Sequence, residues 1–261
     1  MAATAIALRG VRLFLNRSKE AAEKRAPPPP VTKPRAKPKK VTPSNKLSQK
    51  SMDALLKICK FNKNELESLY TMYRQLVTAA QAAAPPALSG QPPPAKIEGI
   101  DQNTFRDVMH NTFDLVTEEA ILERIWITWE RGAAGGEGAL KFESWVRGLS
   151  VLLKGTEEER RNHCFNVYDL NADGYITRDE MFILLKNSLL KQPGDEDPDE
   201  GVRDLVELVL KKLDIDKDGR VSPEDYREAI EQEPLLLEAF GQCLPTKRHA
   251  AAFLKSLCIK Q

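Results

Sequence analysis

The sequence predicts an all-α protein of four helix–loop–helix units in two lobes, preceded by a disordered basic arm. Three observations predict it. Residues 169–180 carry oxygen-bearing side chains at positions 1, 3, 5, 9 and 12 of a twelve-residue run, with glycine at position 6. Residues 214–225 repeat that arrangement. Apolar residues recur at helical spacing on both sides of each run. The expected divisions are an arm over 1–50, a first lobe over 51–152, a second over 153–245 and a tail over 246–261.

Residues 1–50 hold 13 Lys/Arg against 2 Asp/Glu, whereas the whole chain has a net charge of +1. The arm is therefore strongly positive and the body negative. A basic arm on an acidic body points to an anionic partner. Four consecutive prolines, Pro27 to Pro30, precede Lys33, Arg35, Lys37, Lys39 and Lys40. So little apolar surface predicts disorder or extended polyproline structure. Those five cations are candidate contacts to the acidic tails of tubulin. No aromatic is interleaved with them, which argues against nucleic acid. A membrane surface, or a solvated tail with no partner, stays open. Residues 5–17 are amphipathic, basic and free of acids, like a mitochondrial presequence or a partner-docking helix. They are too short and too charged for a membrane span. Ala2 leaves no glycine for myristoylation.

In the first lobe the loop template fits twice with its chemistry missing. Over residues 133–144, Gly138 takes position 6 and Leu140 position 8. Ala133, Gly135 and Ser144 fill positions 1, 3 and 12, so Glu137 is left without partners for an ion. Ile100 takes position 8 of an earlier and weaker match, with Thr104 at position 12. Both units read as metal-free hands kept for packing; an unrelated helical domain is the alternative. An Ala/Pro-rich insertion runs over residues 78–96.

The second lobe carries the chemistry. Asp169, Asn171 and Asp173 offer side-chain oxygens, Tyr175 its carbonyl, Thr177 a direct or water-borne oxygen, and Glu180 both carboxylate oxygens. Gly174 makes the sharp turn. This is the ligand spacing of an EF-hand calcium loop, in which a hard dication takes six to eight oxygens and no sulfur. Asp214, Asp216, Asp218, the Arg220 carbonyl and Asp225 repeat it. Asp225 is one methylene shorter than glutamate, which predicts weaker calcium binding or tolerance of Mg2+. Ile176 and Val221, both at position 8, are expected to pair in a short ladder. Met181, Leu184, Leu185, Val206 and Val209 lie on apolar stripes that serve as core or as a groove for a partner helix. Residues 235–240 are a candidate plug for that groove; a plain packing helix starting at Pro234 is the alternative. Residues 194–201 form an acidic connector.

Cys59, Cys164, Cys243 and Cys258 show no C-x-x-C spacing, which fits a reduced, intracellular protein. Cys164 reads as packing. His110, His163 and His249 lack zinc spacing. No catalytic grouping stands out, and a non-enzyme is expected.

Several phrases carry a resemblance. They are Phe61-Asn62-Lys63, residues 147–155, Cys164-Phe165, Asp169-Leu170-Asn171, residues 187–193 and 196–201, residues 235–241, and Cys243-Leu244-Pro245. Over about 52–245 the chain resembles the calaxin-like axonemal EF-hand sensors of the neuronal-calcium-sensor type. The resemblance implies a calcium-responsive protein of the cytoskeleton of motile cilia and flagella, bound to outer-arm dynein or its docking complex. It includes the final aspartate of the second loop. The chain departs from that family at 133–144, where the family has acidic ligands, and in its long basic arm. Two rival readings remain: a structural microtubule-associated protein that binds independently of calcium, and a mitochondrial calcium-binding protein.

Overall fold

Helix entry is set by local capping along most of the chain. The structure, a computed structural model, describes residues 47–83, 99–115, 119–131, 138–186 and 199–258. Residues 1–46, with Lys33, Arg35, Lys37, Lys39 and Lys40, lie outside the described residues. So do most of the Ala/Pro-rich insertion and of the acidic connector. Ten α-helices are present among the described residues. Helix α1 (Gln49–Ile58) starts at Ser48, whose hydroxyl accepts the Ser51 N–H. Helix α2 (Lys63–Ala83) opens on a reciprocal pair: Asn62 Oδ1 accepts from Glu65 N at 3.0 Å, and Glu65 accepts from Asn62 N at 2.7 Å. Buried Glu65 is neutralised by Lys154 at 2.7 Å. Asp101 caps α3 (Gln102–Phe113), and Asp114 closes it in the left-handed region at φ 54°.

Helices α4 (Glu119–Arg131) and α5 (Phe142–Lys154) complete the first lobe. Ile100 and Leu140 form an antiparallel bridge, with N···O distances of 3.0 and 2.8 Å. The two position-8 residues of the metal-free template thus meet as a working pair of loops would. Phe105 sets its ring edge-on to Trp126, Trp129 and Trp145. Gly148 on α5 lies against Trp129; a Cβ there would fall 2.1 Å from a ring carbon. The missing ligands are thus accompanied by a dense apolar core.

The second lobe contains α6 (Glu157–Tyr168), α7 (Arg178–Leu185), α8 (Glu200–Leu213) and α9 (Pro223–Gln232). Ile176 and Val221 pair as expected, with both N···O distances 2.9 Å. Helix α6 also packs on α4 and α5. Arg124 of α4 donates to the carbonyls of Val167 (3.2 Å) and Asp169 (2.6 Å). A first-lobe cation therefore grips the entrance of the loop over residues 169–180.

Two segments after α9 differ from expectation. Pro234–Glu238 is a 3-10 turn, not an α-helix. Leu235 is 86% exposed, whereas Phe240 is buried with its ring 5.0 Å from that of Tyr168. The expected tail over 246–261 is mostly helix α10 (Lys247–Cys258). It packs on α2, α3 and α5 and buries Ala252, Phe253 and Leu257. Phe253 lies 5.0 Å from Phe113, and the Ser68 hydroxyl donates to the Leu257 carbonyl at 3.1 Å. The chain end thus returns to the first lobe. Among the described residues no helix is long and apolar enough to cross a membrane.

Candidate metal centre

Each loop of the second lobe is pre-folded by its own acids. Asp169 accepts the N–H groups of Ala172 (2.6 Å) and Gly174 (3.0 Å). Asn171 accepts from Asp173 N at 2.8 Å, and Asp173 from Tyr175 N at 2.9 Å. Gly174 is at φ 90° and Gly219 at φ 93°, where a side chain is strained. In the second loop Asp214 accepts from Asp218 N (3.1 Å) and Gly219 N (2.9 Å). Asp218 accepts from Arg220 N at 3.0 Å. These bonds turn the side chains at loop positions 1, 3 and 5 toward the loop backbone.

The last acid of each loop also starts a helix. Glu180 Oε2 accepts the Thr177 N–H and hydroxyl, both at 2.8 Å, while Thr177 caps Glu180 N. Its other oxygen accepts Leu170 N (2.9 Å) and Asn171 N (3.1 Å), tying the loop's start to its end. Asp225 makes the same box with Ser222, at 3.0 Å to the N–H and 2.6 Å to the hydroxyl. Despite its shorter side chain it still reaches Asp216 N, at 3.3 Å. A helix N-terminus thus holds each position-12 carboxylate in place at the end of its loop.

The donor set fits a hard dication. Carboxylate oxygens of Asp214, Asp216 and Asp218 all lie within 4.8 Å of one another. Oxygens sharing one calcium at ~2.4 Å span up to about that distance. Crowding registers in the acidity of Asp216. The Asp218 N–H pulls the Asp216 carboxyl down. Desolvation and the charges of Asp218, Asp225 and Asp214 outweigh it, so Asp216 stands above the ordinary aspartate range. Desolvation pushes Asp225 up, but its bonds to Ser222, Asp216 and Ile215 prevail and hold it below that range. Two cations edge the second site. Arg220 Nε meets Asp218 at 3.0 Å, and its guanidinium lies 3.6 Å from the Tyr175 ring centre. Arg178 pairs with Glu207 at 2.9 Å and donates to the Gly219 carbonyl at 3.1 Å.

A family model described as an EF-hand domain pair matches residues 158–231, which take in both loops. Calaxin of Xenopus laevis is 48% identical over 207 residues, covering 78% of this chain and 92% of that protein. Human calaxin is 43% identical over 211 residues (80% and 93%), and bovine calaxin 44% over 214 (80% and 93%). The chain belongs to the calaxin family. It is a calcium-binding EF-hand protein.

In this calaxin-family chain the proposed groove residues are core in the observed state. Met181, Leu184, Leu185 and Val206 are buried, and Val209 is half-buried against them. The helical stripe was legible; its burial depended on tertiary packing. Sequence reasoning gave Arg220 and Tyr175 only carbonyl roles and missed that their side chains stack. It also took Tyr168 and Tyr226, which flank Asp169 and Asp225, only as residues of the apolar helical stripes. The Tyr168 hydroxyl donates to the Gly241 carbonyl and the Tyr226 hydroxyl to the Leu237 carbonyl, both at 2.6 Å. Their adjacency to ligand positions was the available signal.

Proposed function

We propose that this protein is a calcium sensor of the ciliary and flagellar axoneme that acts on outer-arm dynein or its docking complex. One observation carries the sensing half. Tyr168 precedes the first ligand of one loop, Tyr226 follows the last ligand of the other, and both hold residues 237–241 by hydroxyl bonds. A displacement of Asp169 or Asp225 is therefore passed to the segment lying on α6 and α9. Bound calcium supplies the positive charge that lets the crowded carboxylates approach one another. Glu180 and Asp225 each divide their oxygens between loop and helix start, so closing the loops reorients α7 and α9. That reorientation, with α7 parting from α8, would bare Met181, Leu184, Leu185, Val206 and Val209 for a partner helix. Asp225 makes the second loop the weaker site and the more tolerant of Mg2+.

Membership of the calaxin family supports the axonemal setting. The arm, through Lys33, Arg35, Lys37, Lys39 and Lys40, would add a microtubule contact to the dynein contact. Co-sedimentation with microtubules and outer-arm dynein, with and without calcium, tests both halves on full-length and arm-deleted protein. Dynein association that changes with calcium in both proteins is expected. Binding that needs the arm and ignores calcium would make the protein a structural microtubule component instead.

A further inference from the structure

Two thiols that the calcium chemistry does not use lie near each other beside Tyr168. Cys164 and Cys243 are free and fully buried, and Cys243 is the neighbour that most raises the Cys164 thiol. Their proximity is built by neighbouring groups. Cys164 lies one turn before Tyr168 on the same side of α6. The Tyr168 hydroxyl holds the Gly241 carbonyl at 2.6 Å, and the same carbonyl accepts the Cys243 thiol at 3.6 Å. Glu238 accepts the N–H groups of Cys243 and Leu244, both at 2.8 Å, which folds the turn so that Cys243 points back at α6. We propose that Cys164 and Cys243 are a redox-modification site whose disulfide fastens residues 234–243 to α6.

The seated pair is protected, because Cys243 and burial push the Cys164 thiol up and keep it protonated. Reaction begins when the segment lifts and exposes Cys243. Its thiolate attacks the O–O bond of hydrogen peroxide, giving a sulfenic acid and, with one proton, water. On reseating, the Cys164 sulfur attacks the sulfenic sulfur; the S–S bond forms, the S–O bond breaks and a second water leaves. The two thiols together lose two electrons and two protons to the peroxide. The bond formed is about 2.05 Å long. A thiol-based reductant reverses the step by exchange. Fastened in this way, the segment no longer follows Tyr168 and Tyr226.

Full-length, calcium-free protein is treated with hydrogen peroxide, alkylated and mapped by mass spectrometry without reduction. The expected product links the Cys164 and Cys243 peptides, two hydrogens lighter than their sum. It persists in the Cys59→Ser/Cys258→Ser double variant, which leaves the pair untouched, and is absent in Cys243→Ala. In the linked protein the amides of Cys243 and Leu244 exchange at least tenfold more slowly. Oxidation confined to Cys59 and Cys258, with both buried thiols recovered, would overturn the proposal. So would a link that leaves those amides unchanged. Because calcium is absent throughout, a negative result here is distinct from failure of the sensor reading.

Discussion

Replacing Tyr168 and Tyr226 by phenylalanine removes two hydroxyls and leaves both rings in place. Each hydroxyl makes one 2.6 Å bond, to Gly241 and to Leu237. Losing such a bond costs about 1 kcal/mol, since a carbonyl is left without its donor. Both bonds must break for that one segment to open, so both losses enter its opening free energy. One kcal/mol is roughly fivefold in an equilibrium constant, so the pair is worth roughly twenty-five-fold in local opening. Hydrogen exchange reads this directly at Ala239, Cys243 and Leu244, whose N–H groups are bonded within the segment. The calcium-free double variant should exchange these amides about twenty-fivefold faster. Amides of the Ile176–Val221 bridge should keep their rates. Unchanged exchange at 239–244 would refute the claim that the two tyrosines tie ligand loops to the segment.

Three other outcomes follow from the packing and the charges. Gly148→Ala drives a methyl into the Trp129 ring and should cost about 2–3 kcal/mol, roughly 7 °C of melting temperature by calorimetry. His163 is buried with an unpartnered Nε2, and burial pushes its imidazole down from 6.5 to about 4. The unfolded chain then binds the extra proton between those values. Stability is whole above pH 6.5 and falls by about 3 kcal/mol as pH drops to 4, a loss that His163→Leu should abolish in denaturant titrations across that range. Arg220→Gln removes a cation that competes for Asp218, and calorimetric titration should show roughly fivefold tighter calcium binding at the second loop.

The candidate site was legible because its information is local. Twelve consecutive residues fix the ligand positions, and Gly174 and Gly219 mark where the backbone must turn through positive φ. Position 8 was equally readable, and in the first lobe it predicts the pairing of Ile100 with Leu140 without the acidic ligand pattern. The capping boxes were written as Thr-x-x-Glu and Ser-x-x-Asp but were hidden behind the calcium reading of the same residues. Long-range contacts left no periodic trace. Helix α10 finds Phe113 across 140 residues of chain, so its short basic sequence reads as a tail. The 3-10 turn at Pro234 depends on Glu238 folding back to residues 243 and 244, which three consecutive leucines do not announce.

Calcium titration of the full-length protein by calorimetry, beside Glu180→Gln, bears most directly on whether the two loops act as metal sites. Two binding events are expected, with Glu180→Gln losing the tighter one and keeping the other. An absence of heat at millimolar calcium, with no rise in melting temperature, would contradict the account at its root.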